Sequence, residues 1–223
     1  IPPLEEQRAI ADVLSALDDK IELNRKMNQT LEQLAQTLFD HYFKNNAKKN
    51  NWRTCKVGEV CSFEYGKSLK ATDRLKGLIP VYGSNGQIGL HNEFLVQGPG
   101  IVVGRKGNPG TVAYVHTNFF PIDTTFYVVP KPEINLYWLY YSLKSLNLSK
   151  LSADSAVPGL NRNIAYMSEL LIPPSELAES FEDLIKPIFK KLFCNDSENN
   201  TLSELRDTLL PKLMSGQVRV CPT

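Results

Sequence analysis

Near the N-terminus apolar residues recur in steps of four and three, at Ile10, Leu14, Leu17, Ile21, Leu31, Ala35, Leu38 and Tyr42. That spacing is the seam of a coiled coil. Near the C-terminus Phe181, Ile185, Ile188, Leu192, Leu202, Leu209 and Leu213 keep the same phase. Polar residues fill the positions between, so each stretch predicts a long helix with one apolar stripe. Both stripes are broken at matching places by asparagine: Asn24 and Asn28 in the first, Asn195 and Asn199 in the second.

The two stretches are copies of one unit. Residues 1–43 return at 172–214 without a gap, and an offset of 171 places Ile1, Pro2 and Pro3 on Ile172, Pro173 and Pro174. It also places Glu5 on Glu176, Asp12 on Asp183, Lys20 on Lys191 and Leu31 on Leu202. If the helices run antiparallel with partner numbers adding to 223, Asn24 meets Asn199 and Asn28 meets Asn195. The same rule pairs Ile10 with Leu213, Ile21 with Leu202, Leu38 with Ile185 and Tyr42 with Phe181. One pairing, Leu17 with Arg206, is poor, and Leu205 is expected to cover it. An unpaired buried amide costs roughly 1–3 kcal/mol, so asparagines that meet in a seam fix its register.

A helix of about 35 residues is roughly 50 Å long, which suits a spacer. The competing reading is a helical hairpin inside one compact domain. Pro187 is expected to kink or break the second helix near Lys186, because proline removes a backbone hydrogen bond.

The middle of the chain changes character. Residues 100–103, 111–115 and 124–129 cluster β-branched and aromatic side chains between turn signals and predict strands. Residues 104–110 form a glycine-rich link with two adjacent cations, Arg105 and Lys106. Trp138, Leu139, Ser142 and Leu143 recur at helical intervals and predict a helix over 136–146. Linkers at 44–51 and 172–174 mark the boundaries. The expected class is α+β: a mixed, strand-rich globular domain at 51–171, with a long antiparallel two-helix coiled coil formed by the terminal segments 1–50 and 172–223.

A net charge of +1 hides an uneven distribution. Residues 52–170 carry twelve basic against eight acidic side chains, whereas both flanks are slightly acidic. The excess positive charge sits on the middle domain, where a reader of phosphates would need it. No apolar run approaches a membrane span and no signal peptide opens the chain, so a cytoplasmic location is expected. The start at Ile-Pro-Pro, the head of the repeated unit, predicts a piece of a longer protein. Cys55, Cys61, Cys194 and Cys221 lack CxxC spacing and suit reduced thiols better than a disulfide framework or a metal site.

Catalytic chemistry finds little support. The 104–110 run lacks the order of a nucleotide-binding P-loop, and no GxGxxG opens a helix after a strand. An adenine methyltransferase would be expected to show Asn/Asp-Pro-Pro-aromatic, but Asn108-Pro109-Gly110 reads as a turn. His41, His91 and His116 have no carboxylate or cysteine partner by spacing. No cofactor and no metal are expected.

These residues carry a resemblance. Ile-Pro-Pro-Leu-Glu-Glu-Gln-Arg at 1–8 is similar to the opening of a conserved region of type I restriction-modification DNA specificity subunits, and 209–216 to its closing. Segments 80–89, 103–110 and 157–163 resemble parts of the family's target recognition domains. The resemblance implies a non-catalytic subunit that binds double-stranded DNA and assembles with modification and restriction subunits, where methylation and cleavage reside. It implies two recognition domains held apart by two conserved helices. This chain has one such domain between two helical regions, so it resembles half of a subunit, and association of two copies through the helices is an open expectation.

Arg and Lys approach phosphates or guanine edges, and Asn bonds bidentately to adenine. Loops that combine them are the expected DNA contacts: Tyr65, Lys67, Ser68, Lys70 and Arg74; Tyr82, Ser84 and Asn85; Arg105, Lys106 and Asn108; Asn161, Arg162 and Asn163. For each group the competing reading is a turn whose Gly and Asn serve backbone geometry. The competing function is a helical protein-protein adaptor whose head is not specific for DNA.

Overall fold

The structure, a computed structural model, describes residues 3–152 and 159–220. Ile1, Pro2, Val157, Pro158 and Cys221, singled out above, lie outside the described residues. The chain divides into two compact units, one made of residues up to Leu38 with those from Leu184 onward, the other of Phe39–Asp183.

The first unit is built from two long helices, α1 (Leu4–Phe39) and α5 (Ser175–Met214). They run antiparallel: Asn24 bonds Asn199 at 3.0 Å, Asn28 bonds Asn195 at 2.7 Å, and Asp18 pairs with Arg206 at 2.7 Å. Ile10, Ile21, Ala35, Ile185, Leu192 and Leu213 are buried along the seam, as are Asn24 and Asn195. One expectation about a side chain needs correction. Leu205 stays exposed, while Arg206 turns half inward and reaches Asp18 and Asp207. An arginine satisfies its guanidinium at the edge of a seam while its stem covers apolar surface, so no leucine is needed beside Leu17.

The stripe also changes period toward one end of each helix. Ala35, Phe39 and Phe43 are buried, as are Phe181, Ile185 and Phe189, in place of a seam through Leu38, Tyr42 and Ile188. Steps of four exceed the helical repeat of 3.6, so the buried stripe drifts around the helix and loosens the supercoil locally. Pro187 does not break α5, which continues through it and through Pro211. The local consequence is one missing donor for the carbonyl of Asp183, while buried Ile185 and Phe189 on either side hold the helix in place.

Among the described residues the second unit contains three sheets. The largest is antiparallel, in the order β2 (Cys61–Tyr65), β8 (Thr125–Pro130), β5 (Gly100–Gly104), β6 (Val112–Val115). A second has the order β4 (Gly86–His91), β3 (Ile79–Gly83), β7 (Phe120–Pro121), and β1 (Arg53–Lys56) pairs with β9 (Glu169–Ile172). Every residue of β5 is buried, as befits a central strand of Gly-Ile-Val-Val-Gly. Short helices α2 (Val57–Val60) and α4 (Arg162–Tyr166) and the longer α3 (Leu136–Ser145) cover the sheets. Asn135 caps α3 by accepting from Trp138 N–H at 2.9 Å, which satisfies one of the free donors of the first turn.

An aromatic knot closes this unit. A π-helical turn, Asp40–Lys44, presents Phe43 to Phe181 at 5.0 Å between ring centroids, and Phe39 stacks on Tyr141 of α3 at 5.3 Å. Tyr42 also touches Phe181, at 5.9 Å. Such pairs add about 0.5–1.5 kcal/mol each beyond the area they bury.

Candidate nucleic-acid interface

Strand order decides which loops meet. In the large sheet Tyr65 lies opposite Phe126, and Gly104 lies opposite Thr125, so the ends of β2, β8 and β5 share one edge. Tyr65 and Phe126 touch at 5.1 Å. Arg105, the first residue beyond β5, extends across β8, and its guanidinium lies 4.8 Å from the Tyr65 ring centre and 5.9 Å from that of Phe126. Its Nη1 donates to the Asp123 carbonyl at 3.1 Å.

Arg162 arrives from a different direction. Asn161 caps α4, its side chain accepting from the N–H groups of Asn163 and Ile164. That places Arg162 in the first helical position, from which Nη1 donates to the Phe63 carbonyl at 3.2 Å. Its guanidinium lies 5.1 Å from the Tyr65 ring centre. The Tyr166 hydroxyl accepts from Phe63 N–H at 2.7 Å, so α4 is pinned to β2 at two points. Three residues separated by most of the domain's sequence thus form one stack of two guanidinium groups on a half-exposed tyrosine. Cation–π contacts of this kind contribute about 0.5–2 kcal/mol each. No carboxylate among the described residues forms an ion pair with either arginine.

The loop at residues 121–125 is the hub of this edge, and composition did not point to it. The Pro121 carbonyl accepts from Lys67 N–H, Ile122 N–H donates to the Tyr82 carbonyl, and the Thr124 carbonyl accepts from the N–H groups of both Arg105 and Lys106. The Thr125 carbonyl accepts from Gly66 N–H. A Cβ at Gly66 would sit 2.2 Å from the Ile122 carbonyl oxygen, so only glycine lets β2 pass this loop so closely. In the sequence Thr124 and Thr125 open a predicted strand, while Pro121, Ile122 and Asp123 carry no strand signal and no charge cluster.

A second group adjoins through the same 104–110 link. Thr111 Oγ donates toward the Ser84 carbonyl at 2.9 Å and the Asn108 carbonyl at 3.1 Å. Ser84, Asn85, Asn108 and Thr111 line a cleft of about 270 Å³ against Val102. Asn85 and Asn108 are exposed at its rim, and Lys67, Ser68, Lys70, Lys106 and Asn163 are exposed as well.

Several sequence candidates have structural partners. Arg74 folds back on β4, donating Nη1 to the Ile88 carbonyl at 2.8 Å, with its Nε buried. Tyr82 packs beside Phe119 in the apolar cluster with Val102 and Val115. Asn161 is occupied as a helix cap.

The histidines and thiols have structural settings too. His91 Nδ1 accepts from Leu75 N–H at 3.1 Å, and burial holds the His116 imidazole below its usual range. Burial pushes the Cys61 thiol up to about 12. No group of His, Cys, Asp and Glu among the described residues is arranged to hold a metal ion, and none of their helices is long and apolar enough to cross a membrane.

Type I restriction modification DNA specificity domains match this chain over residues 1–33 and 49–205. The chain is 26% identical to the type I restriction enzyme MjaIX specificity subunit of Methanocaldococcus jannaschii, across 98% of this chain and 60% of that protein. It is 28% identical to the HindI specificity subunit of Haemophilus influenzae, across 98% of this chain and 68% of that protein. The crystal structure of a type I restriction-modification S subunit from M. genitalium superimposes with a TM-score of 0.73 at 24% identity, across 95% of this chain and 61% of that one. The last likeness speaks for the fold, and the chain spans about 60% of the length of the M. jannaschii relative. With most of its residues matched, helical segments and strand-rich middle alike, the chain belongs to the type I restriction modification DNA specificity domain family.

Proposed function

We propose that this chain is a DNA sequence-specificity subunit, or one half of such a subunit, in a type I restriction-modification system. The domain at 51–171 reads one half of a bipartite duplex target. The helical segments 1–50 and 172–223 dock modification subunits, with Asn24, Asn28, Asn195 and Asn199 setting register. Methylation and cleavage reside in the partners, and the assembly works in the cytoplasm.

The observation that carries this reading is the convergence of Tyr65, Lys67, Arg105, Lys106 and Arg162 on one edge of the large sheet, in a chain of this family. Guanidinium groups with no carboxylate partner among the described residues, beside exposed lysines and asparagines, match the mixture of phosphate and base-edge donors that duplex DNA requires.

Reconstitution with modification subunits tests it. The complex is expected to methylate a defined bipartite sequence, and omission of this chain should abolish that modification. Methylation that proceeds identically without the chain would sink the proposal. A complex that assembles on the helices but shows no preference among duplexes would favour the adaptor reading.

A further inference from the structure

The geometry points to Arg105 as the residue that reads a guanine in the target, with Tyr65 as the positioning residue that holds its guanidinium for that contact. This assignment rests on the DNA-reading role proposed above and goes beyond it by naming the base and the side chain.

Phosphate contacts and base contacts make different demands. A phosphate accepts a charge from many directions, and a flexible ammonium serves it well. A guanine edge presents O6 and N7 as two acceptors in one plane, which a guanidinium fork matches bidentately only when its plane is held. Lys67 and Lys106 are exposed, as phosphate ligands would be. Arg105 is different. Its side chain is half-buried, its guanidinium lies over the rings of Tyr65 and Phe126 at 4.8 and 5.9 Å, and Nη1 is tied to the Asp123 carbonyl.

The backbone around Arg105 is equally constrained. Its N–H donates to the Thr124 carbonyl at 2.9 Å, and its carbonyl accepts from Leu160 N–H at 2.8 Å. Both the main chain and the side chain are therefore placed before DNA arrives, so little conformational freedom is lost on binding. One of the five guanidinium N–H donors is used by Asp123. No carboxylate among the described residues forms an ion pair with the group, so a two-donor edge remains for a ligand that accepts in a plane.

Selection from a duplex library with randomised half-site, using the chain assembled with its modification subunits, tests the assignment. The wild-type pool is expected to show guanine at a position that Arg105→Ala relaxes by roughly 5- to 150-fold, the value of one bidentate pair, with other positions unchanged. Arg105→Lys should fail to restore that preference, since it keeps the charge and loses the fork. Tyr65→Ala should weaken preference at the same position and Tyr65→Phe should retain it.

Two results would overturn the assignment. Uniform weakening across all sequences, rescued by lysine, would make Arg105 a phosphate ligand, and an unchanged base profile would remove it from the interface. A wild-type pool with no enriched sequence would instead overturn the DNA-reading role itself. Should Arg105→Ala fail to assemble, Arg105→Lys alone separates these outcomes.

Discussion

Asn24 Nδ2 donates to Asn199 Oδ1 at 3.0 Å, linking residues at opposite ends of the chain in one layer of the helical seam. Asn24 also donates to Glu198 at 2.8 Å, yet its buried Oδ1 has no partner among the described residues. A buried polar atom left in that state costs about 1–3 kcal/mol. Replacing Asn24 and Asn199 together by leucine is therefore expected to raise the thermal unfolding midpoint, while relaxing the single register that the asparagine layer enforces. A calorimetric midpoint at or below that of the wild type would show that the layer is better satisfied than its geometry indicates.

Two acidic neighbours of this layer respond to pH in opposite senses. Hydrogen bonding from Asn24, followed by Lys20, holds the Glu198 carboxyl below its ordinary 4.5, whereas burial raises Asp196 above its ordinary 3.8 despite a hydrogen bond from Asn28. A lowered acid contributes stability above its unfolded value and loses it as pH falls through the folded one; a raised acid imposes its penalty only at higher pH. At pH 7 Glu198→Gln should be less stable than the wild type and Asp196→Asn more stable. The Asp196→Asn difference should vanish below pH 3.8. Urea midpoints measured across pH 3–7 check both signs.

Thiol reactivity should separate cleanly. Cys61 is buried with its thiol pushed up to about 12, Cys55 is buried and also raised, and Cys194 is exposed. Thiolate is the reactive form, so at pH 8 maleimide is expected to label Cys194 in the folded protein and to spare the other two until denaturant is added. Mass spectrometry of Cys221→Ser protein reads this directly. Fast labelling of Cys61 would place it outside the core.

Gly66 sits where the β2 end passes the 121–125 loop, and an added methyl would meet the Ile122 and Pro121 carbonyl oxygens at 2.2 and 2.5 Å. Gly66→Ala should therefore destabilise the strand-rich unit by about 1–3 kcal/mol, in the range of overpacked sites. Chemical denaturation measures it. An unchanged midpoint would mean the loop yields without cost, and the hub would not be rigid.

Exposed Lys67 and Lys106 are the proposed phosphate contacts. Replacing both by alanine in the assembled complex should reduce the slope of log affinity against log salt by roughly 1.8, about 0.9 for each lost contact, with the preferred sequence unchanged. Fluorescence anisotropy over a salt series provides the slope. An identical slope would take both lysines off the DNA.

Much of the helical unit was legible because its information is local and periodic. The stripe from Ile10 to Ala35 and the paired asparagines needed only spacing and an antiparallel assumption, and the hydrogen bonds between Asn24 and Asn199 and between Asn28 and Asn195 follow that arithmetic. The drift to Phe39, Phe43 and Phe189 did not show, since a shift of stripe depends on what each aromatic ring packs against. Helix α3 and strands β5, β6 and β8 were visible as β-branched or helical clusters. Strands β3 and β4 were not, because Pro80 and three glycines over residues 79–91 look like turn signals while a hairpin pairs them.

Sequence alone determined that two matching amphipathic helices enclose a basic, strand-rich middle, because periodicity and charge are properties of neighbouring residues. It also named Tyr65, Arg105 and Arg162 separately, as polar residues in glycine- or asparagine-rich loops. Only tertiary structure decided that these three share one stack, that Arg74 bonds β4 and Asn161 caps α4, and that an unremarkable loop at 121–125 holds the edge together. The reason is strand order: β2, β8 and β5 are adjacent in the sheet though distant in the chain, and hydrogen bonding between strands, which leaves no mark on any single segment, sets which loop ends meet.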